Sequence, residues 1–220
     1  MKFTSEEEQA ILNLSGLHKN MPPDVLPEVF AHYNHPDRHY HDWTHALSVL
    51  AWVNHICNIF TEYDLTPFTH LDLKLAALFH DVIYDTQGTP ANEERSAALL
   101  SKLVDLNYRK VGPAEALIMA TAKHGKLETP DVDHPTALFL DCDIHSFGEP
   151  RWETVLWTEH NLVDEFLQRF TLEQVKVGRK AFLGGMLDKK SIFLSDYFKS
   201  RFELQARNNI QRILAELYPT

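Results

Sequence analysis

Apolar residues recur every three to four positions along almost the whole chain, and strictly alternating runs are nearly absent. A sheet cannot use such a period, because one face of a strand collects every second residue. The reading is therefore all-α. Helices are expected over about 5–15, 24–34, 42–61, 70–84, 90–107, 113–124, 134–147, 151–169, 171–188 and 196–217. Some starts have a visible cause. Asp42 is a good N-cap for the third helix, and Thr89-Pro90 sets a capping hydroxyl before a proline at a first helical position. Pro67-Phe-Thr69 and Gln87-Gly-Thr-Pro90 break the pattern between helices, whereas Gly184-Gly185 interrupts one and marks a kink or a close approach. No repeat, low-complexity segment or Gly/Ser linker divides the sequence, so 1–220 reads as one domain, with or without a helical extension.

The 44% hydrophobic content can fill a sizeable core. No apolar stretch approaches the roughly 20 residues that span a bilayer. The first residues, Met1-Lys-Phe-Thr-Ser-Glu-Glu-Glu8, are acidic and lack an apolar leader, so no membrane and a cytoplasmic location are expected. Cys57 and Cys142 supply neither a disulfide framework nor a Cys-x-x-Cys knuckle and read as reduced packing residues. A net charge of −10 argues against binding a nucleic acid polymer. It leaves room for a small phosphorylated substrate, because a bound divalent ion reverses the local field.

The pair His80-Asp81 ends the apolar run Leu75-Ala-Ala-Leu-Phe79, where core residues are expected. An unpartnered charge there would cost several kcal/mol, and a metal ion removes the difficulty. Further ligands are available in His45, Asp141 and Asp143, each inside an apolar segment. On its helix His45 shares a face with Val49, Trp52 and Ile56, His80 aligns with Leu73, Ala76 and Ala77, and Asp143 with Phe139, Leu140 and Phe147. Imidazole and carboxylate together suit Mn, Co, Ni, Fe, Zn or Mg, and the lack of thiolates argues against structural zinc. Thirteen histidines are many for this length, and His32, His35, His39, His41 and His45 fall within fourteen positions. Each ligand also has a plain alternative: His45 as a hydrogen-bonded core histidine, Asp143 as a buried carboxylate paired with Arg or Lys.

Several blocks carry a resemblance. They are Arg38-His-Tyr40-His41-x-x-x-His45, Phe79-His80-Asp81-x-x-Tyr84-Asp85, Asn92-Glu93-x-x-Ser96-Ala97, Thr121-x-x-His124 and Asp141-x-Asp143-x-x-x-Phe147-Gly148. Gly178-Arg179 and Ala206-Arg207-Asn208 follow near the C-terminus. In this order they resemble a bacterial branch of the HD superfamily of metal-dependent phosphohydrolases, over roughly 33–215. The resemblance implies an HD-type helical bundle with additional C-terminal helices: a metal-binding core over about 38–148 and an extension over about 149–220. It implies a divalent cation held by His45, His80, Asp81 and Asp143, with Asp141 near substrate, and hydrolysis of a small phosphoester, a nucleotide among the candidates.

Other residues have less determined roles. Asp85, one helical turn beyond Asp81, and Glu93, in the first turn of the next helix, are the candidate catalytic acid or base, although Glu93 also suits a helix N-terminus electrostatically. His41, four positions before His45, is a further ligand or a local hydrogen-bonding group. Tyr40 and Asn92 are placed with substrate, Tyr40 alternatively as packing. Arg38, Lys123 and Arg179 are candidate phosphate clamps or ordinary surface charges. His124 suits phosphate, a second metal or a helix C-terminus. Two further readings stay open. HD-type di-iron oxygenases need extra histidines, which His124 with His41 or His134 would supply, and a non-catalytic module would bind metal and nucleotide and signal to a partner.

Overall fold

The computed structural model describes residues 2–85, 91–104 and 111–219, apart from the side chain of residue 130. The described residues are all-helical, with no strand among them. The helices are α1 (Ser5–Ser15), α2 (Val25–Tyr33), α3 (Trp43–Ile59), α4 (His70–Phe79), α5 (Asn92–Leu103), α6 (Gly112–Thr121), α7 (His134–Asp143), α8 (Trp152–Leu167), α9 (Leu172–Asp188) and α10 (Asp196–Leu217). None of the described helices is long and apolar enough to cross a membrane.

The helix starts follow from side-chain caps. The Asp42 carboxylate accepts from the amides of Thr44 and His45 at 2.8 and 3.1 Å, as its sequence position suggested. Such caps satisfy amides that a first turn leaves unpaired. Thr69 and Asp72 form a reciprocal capping box on α4, and Thr171 with Gln174 does the same on α9. The cap expected from Thr89-Pro90 lies outside the described residues. The expected helix 70–84 stops at Phe79, with His80 as its C-cap. Asp85 therefore does not lie one helical turn beyond Asp81. α9 runs unbroken through Gly184 and Gly185, and no described atom lies within 4 Å of where a Cβ would stand at either, so the close approach expected there is not present.

The chain forms two compact units, Lys2–Ala122 and Lys123–Thr220. In the first, α3 packs on α1 and α4, and α6 packs on α4 and α5. Its core is built from Leu47, Val49, Leu50, Val53 and Ile56 of α3 with Leu73, Ala76, Ala77, Leu78 and Phe79 of α4 and Leu117 and Ile118 of α6, all fully buried. Ala76 and Ala77 are the small residues on the face that the sequence pattern assigned to His80.

In the second unit α10 packs on α7, α8, α9 and the 3-10 turn His145–Gly148. Phe193 and Phe198 are fully buried and meet Phe202, so these late aromatics belong to the core. Gly148 is required by contact, since a Cβ there would stand 2.8 Å from that of Phe202. Asn209 secures the same turn by donating to the carbonyls of Phe147 and Glu149, each at 2.8 Å. Both cysteines are free.

Candidate metal centre

The end of α4 decides the geometry. Two neighbouring residues inside a helix diverge by about 100° around its axis. α4 ends at Phe79 with His80 as its C-cap, still helical in conformation with its amide bonded to the Ala76 carbonyl, yet both side chains of the doublet meet His45 of α3. The Nε2 atoms of His45 and His80 are 3.1 Å apart. Asp81 Oδ2 lies 3.4 Å from His45 Nε2 and 3.1 Å from His80 Nε2. His45 and His80 are buried at 6% and 1% exposure, which excludes bulk water as their partner.

Main-chain and side-chain bonds hold this arrangement. His80 Nδ1 lies 3.0 Å from the carbonyl of Ala77, which can only accept, so Nδ1 carries the proton and Nε2 presents its lone pair. The Asp81 amide donates to Tyr33 Oη at 3.3 Å. Arg38 donates to the carbonyls of Asp81 at 2.6 Å, Val82 at 2.8 Å and His41 at 3.0 Å. One planar guanidinium thus ties the start of α3 to the doublet, which a flexible ammonium would not do as well. Burial would raise the Asp81 carboxyl, but when His80 and His45 are protonated on Nε2 as well, the His80 charge, hydrogen bonds from His45 and His80, and the His41 charge outweigh burial and hold the group well below the usual range.

The donor set tests whether a metal belongs here. With bonds of about 2.1 Å, neighbouring ligand atoms stand roughly 3.0 Å apart in an octahedron and roughly 3.4 Å apart in a tetrahedron. The separations of 3.1, 3.1 and 3.4 Å fall within that range. Lone pairs facing at such a distance need a proton or a cation between them. Within the unit Lys2–Ala122, His45, His80 and Asp81 offer two imidazole nitrogens and a carboxylate oxygen, a group that could bind a divalent metal.

Around the doublet, the first unit places several expected residues. His41, four positions before His45, precedes α3 rather than lying on it; its ring stacks on Tyr84 at 3.8 Å and stands edge-on to His45 at 5.5 Å. Tyr40 tilts against His45 at 4.9 Å. Asp85 lies 3.7 Å from Arg95, and its amide donates to Asn92 Oδ1 at 3.1 Å. Ser96 accepts from the amide of Ile83 and donates to its carbonyl. Asn92 and Ser96 of α5 therefore staple the backbone of 83–85. Glu93 sits half-buried in the first turn of the same helix.

In the second unit, His124 Nε2 lies 2.7 Å from Asp143 Oδ2 at the end of α7. Asp141 is fully buried, its oxygens accepting from the Leu194 amide and from the Ser195 amide and hydroxyl at 2.6–2.8 Å. Burial pushes its carboxyl up to about 6 despite those donors. Asp141 thus anchors the start of α10. Arg179 is buried and paired through two nitrogens with Glu159 at 2.8 and 2.6 Å, and Tyr218 Oη donates to the same carboxylate at 2.6 Å. Lys123 is exposed. His134 opens α7, nine residues and about 14 Å of helix axis before Asp143.

Tyr33 was not singled out by sequence reasoning, and Ser96 stood only in a block of the resemblance with no role, yet Tyr33 holds the Asp81 amide and Ser96 the backbone of Ile83 just beyond it. The available signal was indirect: a chain leaving a helix inside a core leaves amides that require side-chain acceptors. No protein-family model matches the chain, and no curated protein matches it in sequence.

Proposed function

We propose that this protein is a metal-dependent phosphohydrolase of the HD type that hydrolyses a small phosphoester, with nucleotides among the candidate substrates. His45, His80 and Asp81 would hold the cation. The observation that carries the reading is the set of separations of 3.1, 3.1 and 3.4 Å among His45, His80 and Asp81, matching the edges of a coordination polyhedron. A divalent ion bound there supplies Lewis acidity, which lowers the pKa of a water and polarises a phosphoryl oxygen.

The chain's own groups do the rest. His80, oriented through Ala77, presents an unprotonated nitrogen, and Arg38 and Tyr33 keep Asp81 facing it. Asp85 or Glu93 positions the attacking water or delivers a proton to the leaving oxygen. In the net reaction a water oxygen bonds to phosphorus, the bond from phosphorus to the ester oxygen breaks, and that oxygen takes up a proton.

The test couples metal analysis to a phosphoester screen with protein loaded separately with Mn, Co, Ni, Mg, Fe or Zn. Asp81→Ala should lose metal content and turnover together. Full hydrolytic activity in a metal-free Asp81→Ala protein would overturn the proposal.

A further inference from the structure

Beside the doublet, within the unit Lys2–Ala122, a cleft of about 570 Å³ is lined by one side of α2 from Glu28 to His32, the 35–38 loop, residues 83–85 and Arg95 of α5. That volume suits a small organic ligand. The cleft adjoins the proposed metal ligands through shared residues. Arg38 lines it while bonding the Asp81 carbonyl, and Tyr84 lines it while stacking on His41, whose ring stands 5.5 Å from that of His45.

The lining has an uneven charge. Glu28, Asp37 and Asp85 contribute three carboxylates against the guanidiniums of Arg38 and Arg95. Arg38 is committed to three main-chain carbonyls, and Arg95 stands 3.7 Å from Asp85. Burial and then the Arg38 charge lower the His32 pKa against the opposing Glu28 charge, and this lowering favours its neutral form. The walls therefore offer acceptors and little cationic capacity for further phosphates.

We propose that this cleft receives the alcohol part of the substrate, and that its acidic lining selects phosphomonoesters of an uncharged, hydroxyl-bearing alcohol over polyphosphates. The inference rests on the hydrolase reading of the neighbouring ligands. Nucleosides and sugars share the required chemistry. Glu28 and Asp37, exposed at the cleft, set the discrimination against extra negative charge.

The experiment is calorimetric titration of the full chain, stripped of metal, with adenosine monophosphate, adenosine triphosphate and glucose 6-phosphate. At least one monophosphate should bind about tenfold or more tightly than the triphosphate, and the tighter of the two identifies the nucleoside or the sugar as the recognised alcohol. Glu28→Lys with Asp37→Lys should shrink that preference about tenfold, since four units of charge change within reach of the added phosphates. Ala31→Trp, which fills the cleft, should weaken monophosphate binding at least tenfold. The inference is overturned if the triphosphate binds as tightly as either monophosphate, if neither monophosphate binds, or if the variants leave the ratios unchanged. Metal uptake and the phosphoester screen, run on the same preparations, judge the hydrolase reading separately: retained metal and turnover beside a failed titration rejects the cleft alone.

Discussion

Asp81→Asn removes one negative charge from the proposed centre while keeping the side chain's shape. The doublet backbone should stay in place, because Tyr33 and Arg38 hold it through the Asp81 amide and carbonyl rather than through the carboxylate. The magnitude follows from linkage. A cation at about 100 times its dissociation constant stabilises the folded state by about 2.7 kcal/mol. For a chain of this length each kcal/mol moves the midpoint by about 2–4 °C, so native protein should gain about 5–11 °C. Losing a charged ligand should weaken binding at least ~100-fold, beyond the loss seen for removing a group behind a ligand. The same cation concentration then equals the new dissociation constant, leaving about 0.4 kcal/mol and a gain of about 1–2 °C. The assay is calorimetric unfolding of chelator-stripped protein, with and without Mn, Co, Ni, Zn, Fe or Mg. An equal gain in native and Asp81→Asn protein, or no gain in native protein with any of these ions, would refute the reasoning.

Further outcomes follow from the surrounding structure. Arg179→Met leaves Glu159 buried beside Tyr218 with its cation removed, and should destabilise by about 3–5 kcal/mol in denaturant unfolding; pairing it with Glu159→Leu should recover most of that loss. Arg38→Lys replaces a fork reaching three carbonyls and should lower metal affinity about tenfold by titration while leaving helix content by circular dichroism unchanged. Burial pushes the Cys57 thiol up to about 11. Because a raised thiol pKa delays thiolate formation, its alkylation rate should keep climbing with pH beyond 9, and at pH 8 should be about 100-fold below that of an ordinary thiol. A plateau near pH 9 would contradict that placement.

Much of the helical framework could be read locally. Apolar period and caps are near-neighbour properties, so α1 and α10 match their expected spans and the Asp42 cap stands where its residue type placed it. The doublet itself was visible as a local conflict, two polar residues closing an apolar run. What periodicity could not supply was the stop of α4 at Phe79, and the convergence of His80 and Asp81 on His45. That stop depends on partners distant in sequence: Tyr33, Arg38 and Ser96 receive the backbone that leaves the helix.

The same reason separates residue type from residue role. Arg38, Asn92, Asp141 and Arg179 have side chains suited to phosphate or substrate, and composition and spacing register only that suitability. In the folded chain Arg38 and Asn92 bind main chain, Asp141 anchors Leu194 and Ser195, and Arg179 joins Glu159. Polar groups in a core take whichever complementary group the packing brings within about 3 Å. Sequence therefore established helices, with starts placed more closely than ends, and an inventory of ligand-competent side chains. Which of them meet, as His45 does the doublet 35 positions away, was settled by packing, because contact between helices depends on the whole buried surface around them.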